Sequence, residues 1–243
     1  MIRPQKHAAA LLAAVVFVGG LFLTGCAGGN AYSVDVSDIA DRYLPTTREV
    51  DYHPDSLGAL SFEETDDRYE MELSESYPTL HRRWSSSYQN LGAGRSRRTR
   101  SYATFWSKEL SLASLESETA FSTLSRDRAE KILKERRQEY RTTLQFEVYW
   151  FESEGRSIVT GPGNRVVLEI GEETYRPVEE SHGPLREAFL SGGGQALYRR
   201  NTIHFPRIVD STDVLAGADE MTLTLNRSGS SGRVRFSWEW PSP

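Results

Sequence analysis

The stretch Thr143-Leu144-Gln145-Phe146-Glu147-Val148-Tyr149-Trp150 decides the fold class. Leu144, Phe146, Val148 and Trp150 alternate with Thr143, Gln145, Glu147 and Tyr149. Successive side chains of an extended strand point to opposite faces, so a period of two gathers four large apolar groups on one side. The same rhythm returns downstream. Val166, Leu168 and Ile170 alternate after the turn-forming Gly161-Pro162-Gly163-Asn164. Met221, Leu223 and Leu225 alternate with threonines, and Val234, Phe236, Trp238 and Trp240 alternate with Arg233, Arg235, Ser237 and Glu239. The last two runs flank Arg227-Ser228-Gly229-Ser230-Ser231-Gly232, which predicts a hairpin. Residues 99–106, 174–178 and 198–205 are further strand candidates. Strands with one wet and one buried face belong to antiparallel sheets.

One helix precedes the deciding strand. Leu110, Leu112 and Leu115 lead into it, Ser125 is placed to cap it, and Asp127 sits in the first turn, where the helix dipole favours a negative charge. Ala129, Ile132, Leu133, Arg136 and Tyr140 fall along one side at helical spacing, which predicts an amphipathic helix at about 125–140. Asp127–Lys131 and Glu130–Lys134 are i,i+4 pairs in the favourable direction. The expected fold is therefore α+β and mainly antiparallel β: a two-sheet, sandwich-like domain with this one helix packed on a side or end. Residues 46–96 read as less regular than 97–243. In that part, 51–55 and the Ser85-Ser86-Ser87 run look like turn or loop. An immunoglobulin-like topology has little support, because Cys26 is the sole cysteine and the inter-sheet pair is absent.

The amino end has a different character. Arg3 and Lys6 precede an apolar run from Ala8 to Leu23. As a helix that run spans roughly 24 Å, short of the roughly 30 Å hydrocarbon core of a bilayer. A basic start, a short apolar run and small residues at its end are the marks of an export signal. The run closes on Leu23-Thr24-Gly25-Cys26, which resembles the lipobox of bacterial lipoproteins: an aliphatic residue, two small or mildly polar residues, then cysteine. The resemblance covers about a tenth of the chain. It implies that residues 1–25 are a signal peptide, that the Cys26 thiol takes up a diacylglyceryl group, and that cleavage before Cys26 leaves a new amino terminus that is acylated in turn, with chains such as palmitate. Several chains on one residue hold a protein at a membrane where a single chain holds only marginally. Ala27 follows the cysteine, and no acid stands at that second position. In a Gram-negative cell, where an aspartate there resembles an inner-membrane retention signal, this favours the outer membrane. Residues 26–45 then read as a lipidated tether, and 46–243 as a single β-rich domain.

Loss of residues 1–25 removes Arg3 and Lys6 and no acid, leaving 27 basic residues against 34 acidic, a net charge of −7. Such a domain is a poor general binder of nucleic acid. The charge is uneven. Glu63, Glu64, Asp66, Asp67, Glu70 and Glu72 form an acidic stretch. From Ser76 to Lys108 there is no acid, while Arg82, Arg83, Arg95, Arg97, Arg98, Arg100 and Lys108 are basic, with Trp84, Tyr88, Tyr102, Phe105 and Trp106 among them. The two blocks either pair within the fold, or the basic one meets an anionic partner: lipid headgroups, an envelope polysaccharide or an acidic protein. Arginine offers bidentate contacts and the aromatics offer flat contact area. Arg95, Arg97, Arg98, Arg100 and Trp106 are the candidate patch for such a partner.

Catalytic signatures are absent from the sequence. His53, His81, His182 and His204 have no short metal-binding spacing. There is no G-x-S-x-G elbow and no P-loop. Adjacent acids such as Glu172/Glu173 and Glu179/Glu180 point to opposite faces of a strand and make no paired-carboxylate site. No cofactor is implied. The expectation is a lipid-anchored cell-envelope protein that binds or scaffolds another component; the alternative is an envelope hydrolase whose catalytic residues are dispersed along the chain.

Overall fold

The computed structural model describes residues 50–91, 98–152, 165–189, 195–226 and 233–241, all within one unit, Ala31–Pro243. In chain order the elements are β1 (Leu60–Glu64), β2 (Tyr69–Leu73), α1 (Tyr77–Arg83), β3 (Ser85–Leu91), β4 (Arg98–Phe105), α2 (Lys108–Thr119), α3 (Arg126–Thr142), β5 (Thr143–Glu152), β6 (Arg165–Ile170) and β7 (Glu173–Tyr175). There follow β8 (Glu179–Phe189), β9 (Gln195–Pro206), the short β10 (Ile208–Val209) and β11 (Thr212–Asp213), β12 (Glu220–Asn226) and β13 (Arg233–Glu239). A five-stranded sheet runs β3-β4-β5-β9-β8 and a four-stranded sheet β13-β12-β6-β7; β1-β2 and β10-β11 are separate hairpins. All the pairings are antiparallel. The fold is thus α+β, mainly antiparallel β, and sandwich-like. No described helix is long and apolar enough to cross a membrane.

The deciding stretch lies at the centre. Leu144, Phe146, Val148 and Trp150 of β5 share one core with Val166, Leu168 and Ile170 of β6, Met221, Leu223 and Leu225 of β12, and Val234, Phe236 and Trp238 of β13. Register explains the grouping. β5 pairs Phe146 with Phe105 and with Ile203, so the apolar sides of β4, β5 and β9 face the same way. Trp238 closes the sandwich: its ring packs on Phe105 and Phe146, and its indole N–H donates to the Trp84 carbonyl at 2.8 Å. β12 and β13 pair from Glu220↔Glu239 to Asn226↔Arg233, the expected hairpin; the six residues between them lie outside the described set.

The opposite face of β5 departs from the wet-face expectation. Glu147, Tyr149 and Phe151 are buried there as well. Tyr149 stacks on Tyr102 at 4.4 Å and 10°, and Phe151 stacks between Tyr102 and Tyr198, so cross-strand neighbours shield one another. A strand buried on both faces is characteristic of a sheet with a layer on each side.

Three helices, rather than one, occur among the described residues. α3 matches the amphipathic expectation: Ala129, Leu133 and Tyr140 are buried along one side. Ser125 holds the N-cap position but makes no side-chain cap bond. Lys131 lies 3.9 Å from Glu135, the i,i+4 partner on its carboxyl side, instead of pairing back to Asp127. The leucines before it form their own helix, α2. Ser107 caps it by accepting from Leu110 N at 3.2 Å, and it ends where Ala120 turns left-handed at φ 51°. Leu110, Leu112, Ala113 and Leu115 are all buried, the first and third in the sandwich core and the other two with Leu60, Met71, Phe121, Ala129 and Leu133. A helix used on two sides carries no single stripe, which is why its separate existence is hard to read.

One expectation for residues 46–96 is corrected. The serine run 85–87 is the start of β3. Ser85 Oγ lies 2.7 Å from Thr104 Oγ1 and donates to His81 O, while Ser86 Oγ accepts from Ser237 N at 3.1 Å. Tertiary partners thus satisfy hydroxyls that would otherwise favour a turn. The acidic stretch forms the β1-β2 hairpin, and its Glu64 pairs with Arg126 of α3, while Arg68 pairs with Glu70. Of the basic block, Arg83 pairs with Glu75, which lies outside that stretch.

Candidate functional site

Arg207 is the hub of the most highly organised charged cluster. Pro206 ends β9, and the chain reverses through β10-β11 over Asp210 and Ser211, both at positive φ (49° and 65°), a tight two-residue turn. The Arg207 backbone is held by Thr142 O and Val214 N. Its guanidinium uses every donor: Nη1 to Asp55 Oδ1 (2.8 Å) and Tyr140 O (3.4 Å), Nη2 to Asp55 Oδ2 and Asp213 Oδ2 (2.7 Å each), and Nε to Asp213 Oδ2 (3.0 Å). The Tyr140 ring lies 4.7 Å beneath it. Burial alone would raise the Asp55 carboxyl, but the bonds and charge of Arg207 outweigh it and hold the group below its usual range. Burial likewise works against the Arg207 cation, and the two aspartates more than restore it.

Above this hub is a cleft of about 480 Å³. Asp55, Leu57, Tyr140, Arg207 and Asp213 line it together with Lys108, Arg137 and Arg141. Lys108 is the first residue of α2; its backbone N–H donates to Pro54 O and its Nζ to Asp55 O at 3.1 Å. Tyr140 Oη donates to Pro54 O at 3.2 Å, so the 54–55 turn is clamped from two helices. Arg137 places its guanidinium 5.9 Å from the Phe62 ring centre. Four cations face two carboxylates, so the lining is net positive on a chain whose net charge is −5.

Most of the candidate patch from the sequence falls outside what the structure describes. Cys26, Arg95 and Arg97 lie outside the described residues. Arg98 and Arg100 are at the start of β4, paired with Leu91 and Gln89; their side chains are outside the described set. Trp106 follows the far end of the same strand, about 26 Å from Arg98 at the rise of an extended chain. Its ring packs on the sandwich core and its indole nitrogen is buried.

Two other polar clusters are interior. Thr104 Oγ1 lies 3.4 Å from His81 Nε2 and 2.7 Å from Ser85 Oγ, a hydroxyl beside an imidazole. All three residues are buried, Thr104 at 0% exposure, and burial pushes the His81 pKa down to about 4, with Arg82 adding to the shift. A substrate has no access to this group in the folded protein. Tyr52 donates to Glu109 at 2.8 Å and accepts from Arg83 at 2.9 Å; burial raises the Glu109 carboxyl despite those contacts. Gly58 is required here, because a Cβ would lie 2.5 Å from the Tyr52 ring. This cluster pins the segment before β1 to α1 and α2. Among the described residues no group of three His, Cys, Asp or Glu side chains is placed to hold a metal ion.

Sequence reasoning missed the hub. Asp55 and Arg207 are 152 positions apart, and Asp55 reads only as part of a turn. One local signal exists: Arg207 stands alone within Ile203-His204-Phe205-Pro206-Arg207-Ile208-Val209, and a charge amid apolar residues needs a partner when the run is buried. No protein-family model matches this chain, and neither does any curated protein or solved structure.

Proposed function

We propose that this is a lipid-anchored cell-envelope protein, held by Cys26 at the outer membrane where the cell has one, whose mature domain is a binding or scaffolding module rather than an enzyme. The observation that carries the reading is Leu23-Thr24-Gly25-Cys26 behind a basic start and a 16-residue apolar run, 8–23. Two features of the domain favour binding over chemistry. The hydroxyl–imidazole contact is sealed inside, and the charged cleft over Arg207 spends its two carboxylates and Arg207 on one another. Groups so committed hold a shape and a potential; they do not move protons. The partner expected is an envelope protein, or an anionic glycan or lipid.

The test is Cys26→Ser in the native host with radiolabelled fatty acid. The wild type is expected to incorporate label and to sediment with membranes; the variant is expected to lose both. Label retained by the variant, or a mass showing a free thiol behind an intact leader, overturns the anchor. Turnover of ester or glycosidic envelope substrates by the purified protein would replace the binding module with the hydrolase alternative. The basic patch has its own test: neutral replacement of Arg95, Arg97, Arg98 and Arg100 is expected to weaken retention on anionic envelope material in a salt-sensitive way, and unchanged retention removes those residues from the reading.

A further inference from the structure

We propose that the cleft over Arg207 is a binding site for a phosphate-type oxyanion, gripped by Lys108, Arg137 and Arg141. The proposal rests on reading the domain as a binding module and is independent of the lipid anchor.

Two of the three cations are positioned by groups that do not neutralise them. Lys108 Nζ is held by a backbone carbonyl, Asp55 O, and Arg137 lies against the face of Phe62. Among the described residues none of the three has a carboxylate within ion-pair distance. Arg137 and Arg141 are i,i+4 neighbours on α3, a like-charge pair that costs a helix a few tenths of a kcal/mol. The floor between them offers no relief. Asp55 and Asp213 are already bound to Arg207, and Asp213 Oδ1 also accepts from Leu215 N. The amino end of α2, a 12-residue helix, opens at Lys108 and adds its own positive potential. The complement of this arrangement is an anion with several acceptor oxygens. A tetrahedral oxyanion supplies them, and two guanidinium groups with an ammonium group match it in charge and in donor geometry.

The chemistry is shared by a free phosphate compound and a phospholipid headgroup, so the experiment has two arms. The purified full chain is titrated calorimetrically with inorganic phosphate, and is sedimented with phosphatidylglycerol vesicles against phosphatidylcholine vesicles. Arg137→Gln/Arg141→Gln is compared with Arg128→Gln/Arg186→Gln, which removes the same charge from exposed positions outside the cleft. All four arginines replaced are exposed, and equal melting temperatures confirm folding. The cleft variant is expected to bind about tenfold or more weakly, and the control to bind like wild type. Loss in the phosphate arm alone assigns a soluble phosphate compound, and loss in the vesicle arm assigns a headgroup. Absence of saturable binding in both arms, or equal weakening by the two double variants, overturns the proposal. Loss of acyl labelling in the Cys26 experiment would leave this result untouched, so the two readings fail separately.

Discussion

Replacing His81 with glutamine should flatten the acid side of the stability curve. The imidazole is buried between α1 and β4, and burial lowers its pKa from 6.5 to about 4. In the unfolded chain His81 takes up a proton as pH falls through about 6.5; in the folded chain it stays neutral until about pH 4. Between those values the unfolded state binds more protons, so the folded state loses stability as pH falls. The full shift corresponds to about 3 kcal/mol, of which about 2 kcal/mol is lost by pH 5. Above about pH 6.5 both states are neutral and the contribution is fully present. Other groups titrate nearby. Glu109 and Glu147 have raised pKa values, mainly from burial, and push the other way, since their burial cost eases on protonation. The comparison between wild type and His81→Gln removes them. Urea unfolding at pH 7.5 and pH 5.0 should show the wild type losing about 2 kcal/mol more than the variant over that interval. The Ser85 bond to the His81 carbonyl survives the substitution, because it uses the backbone. An equal loss in both proteins would mean that His81 titrates alike folded and unfolded, and the argument from burial would fall.

Three further substitutions probe the framework. Arg207→Met strands two partly exposed carboxylates and should cost about 2–3 kcal/mol, read as a lower urea midpoint; a midpoint unchanged from wild type would deny the hub its role. Gly183→Ala places a Cβ 2.5 Å from the Arg200 carbonyl at the β8 bulge, where backbone meets backbone, and should lower stability by about 1–3 kcal/mol in thermal unfolding. Trp238→Phe removes the bond to Trp84 O and leaves space against Phe105 and Phe146; about 2–4 kcal/mol should be lost, and near-neutral unfolding would show that the two sheets close without it.

Legibility along the chain followed the range of the forces involved. β5, β6, β12 and β13 were readable because each carries large apolar residues at alternate positions on its core face, and the period is printed in six to ten consecutive positions. β8 was not: its residues 179–187 are almost all exposed, so neither face required apolar side chains and no rhythm was written. β3 was obscured by serines whose partners, Thr104 and Ser237, are 19 and 151 positions away.

Periodicity alone was enough to make this an antiparallel α+β chain with an amphipathic helix before its central strand, because side-chain direction follows from local backbone geometry. The resemblance of residues 23–26 to a lipobox is equally local. The cleft is of another kind. It exists because β9 ends where the 54–55 turn, the start of α2 and the last turn of α3 converge, and Arg207 can satisfy five donors only when Asp55, Tyr140 and Asp213 are all present. Charge that cancels or persists across such distances depends on which surfaces meet, and no window of sequence contains that information.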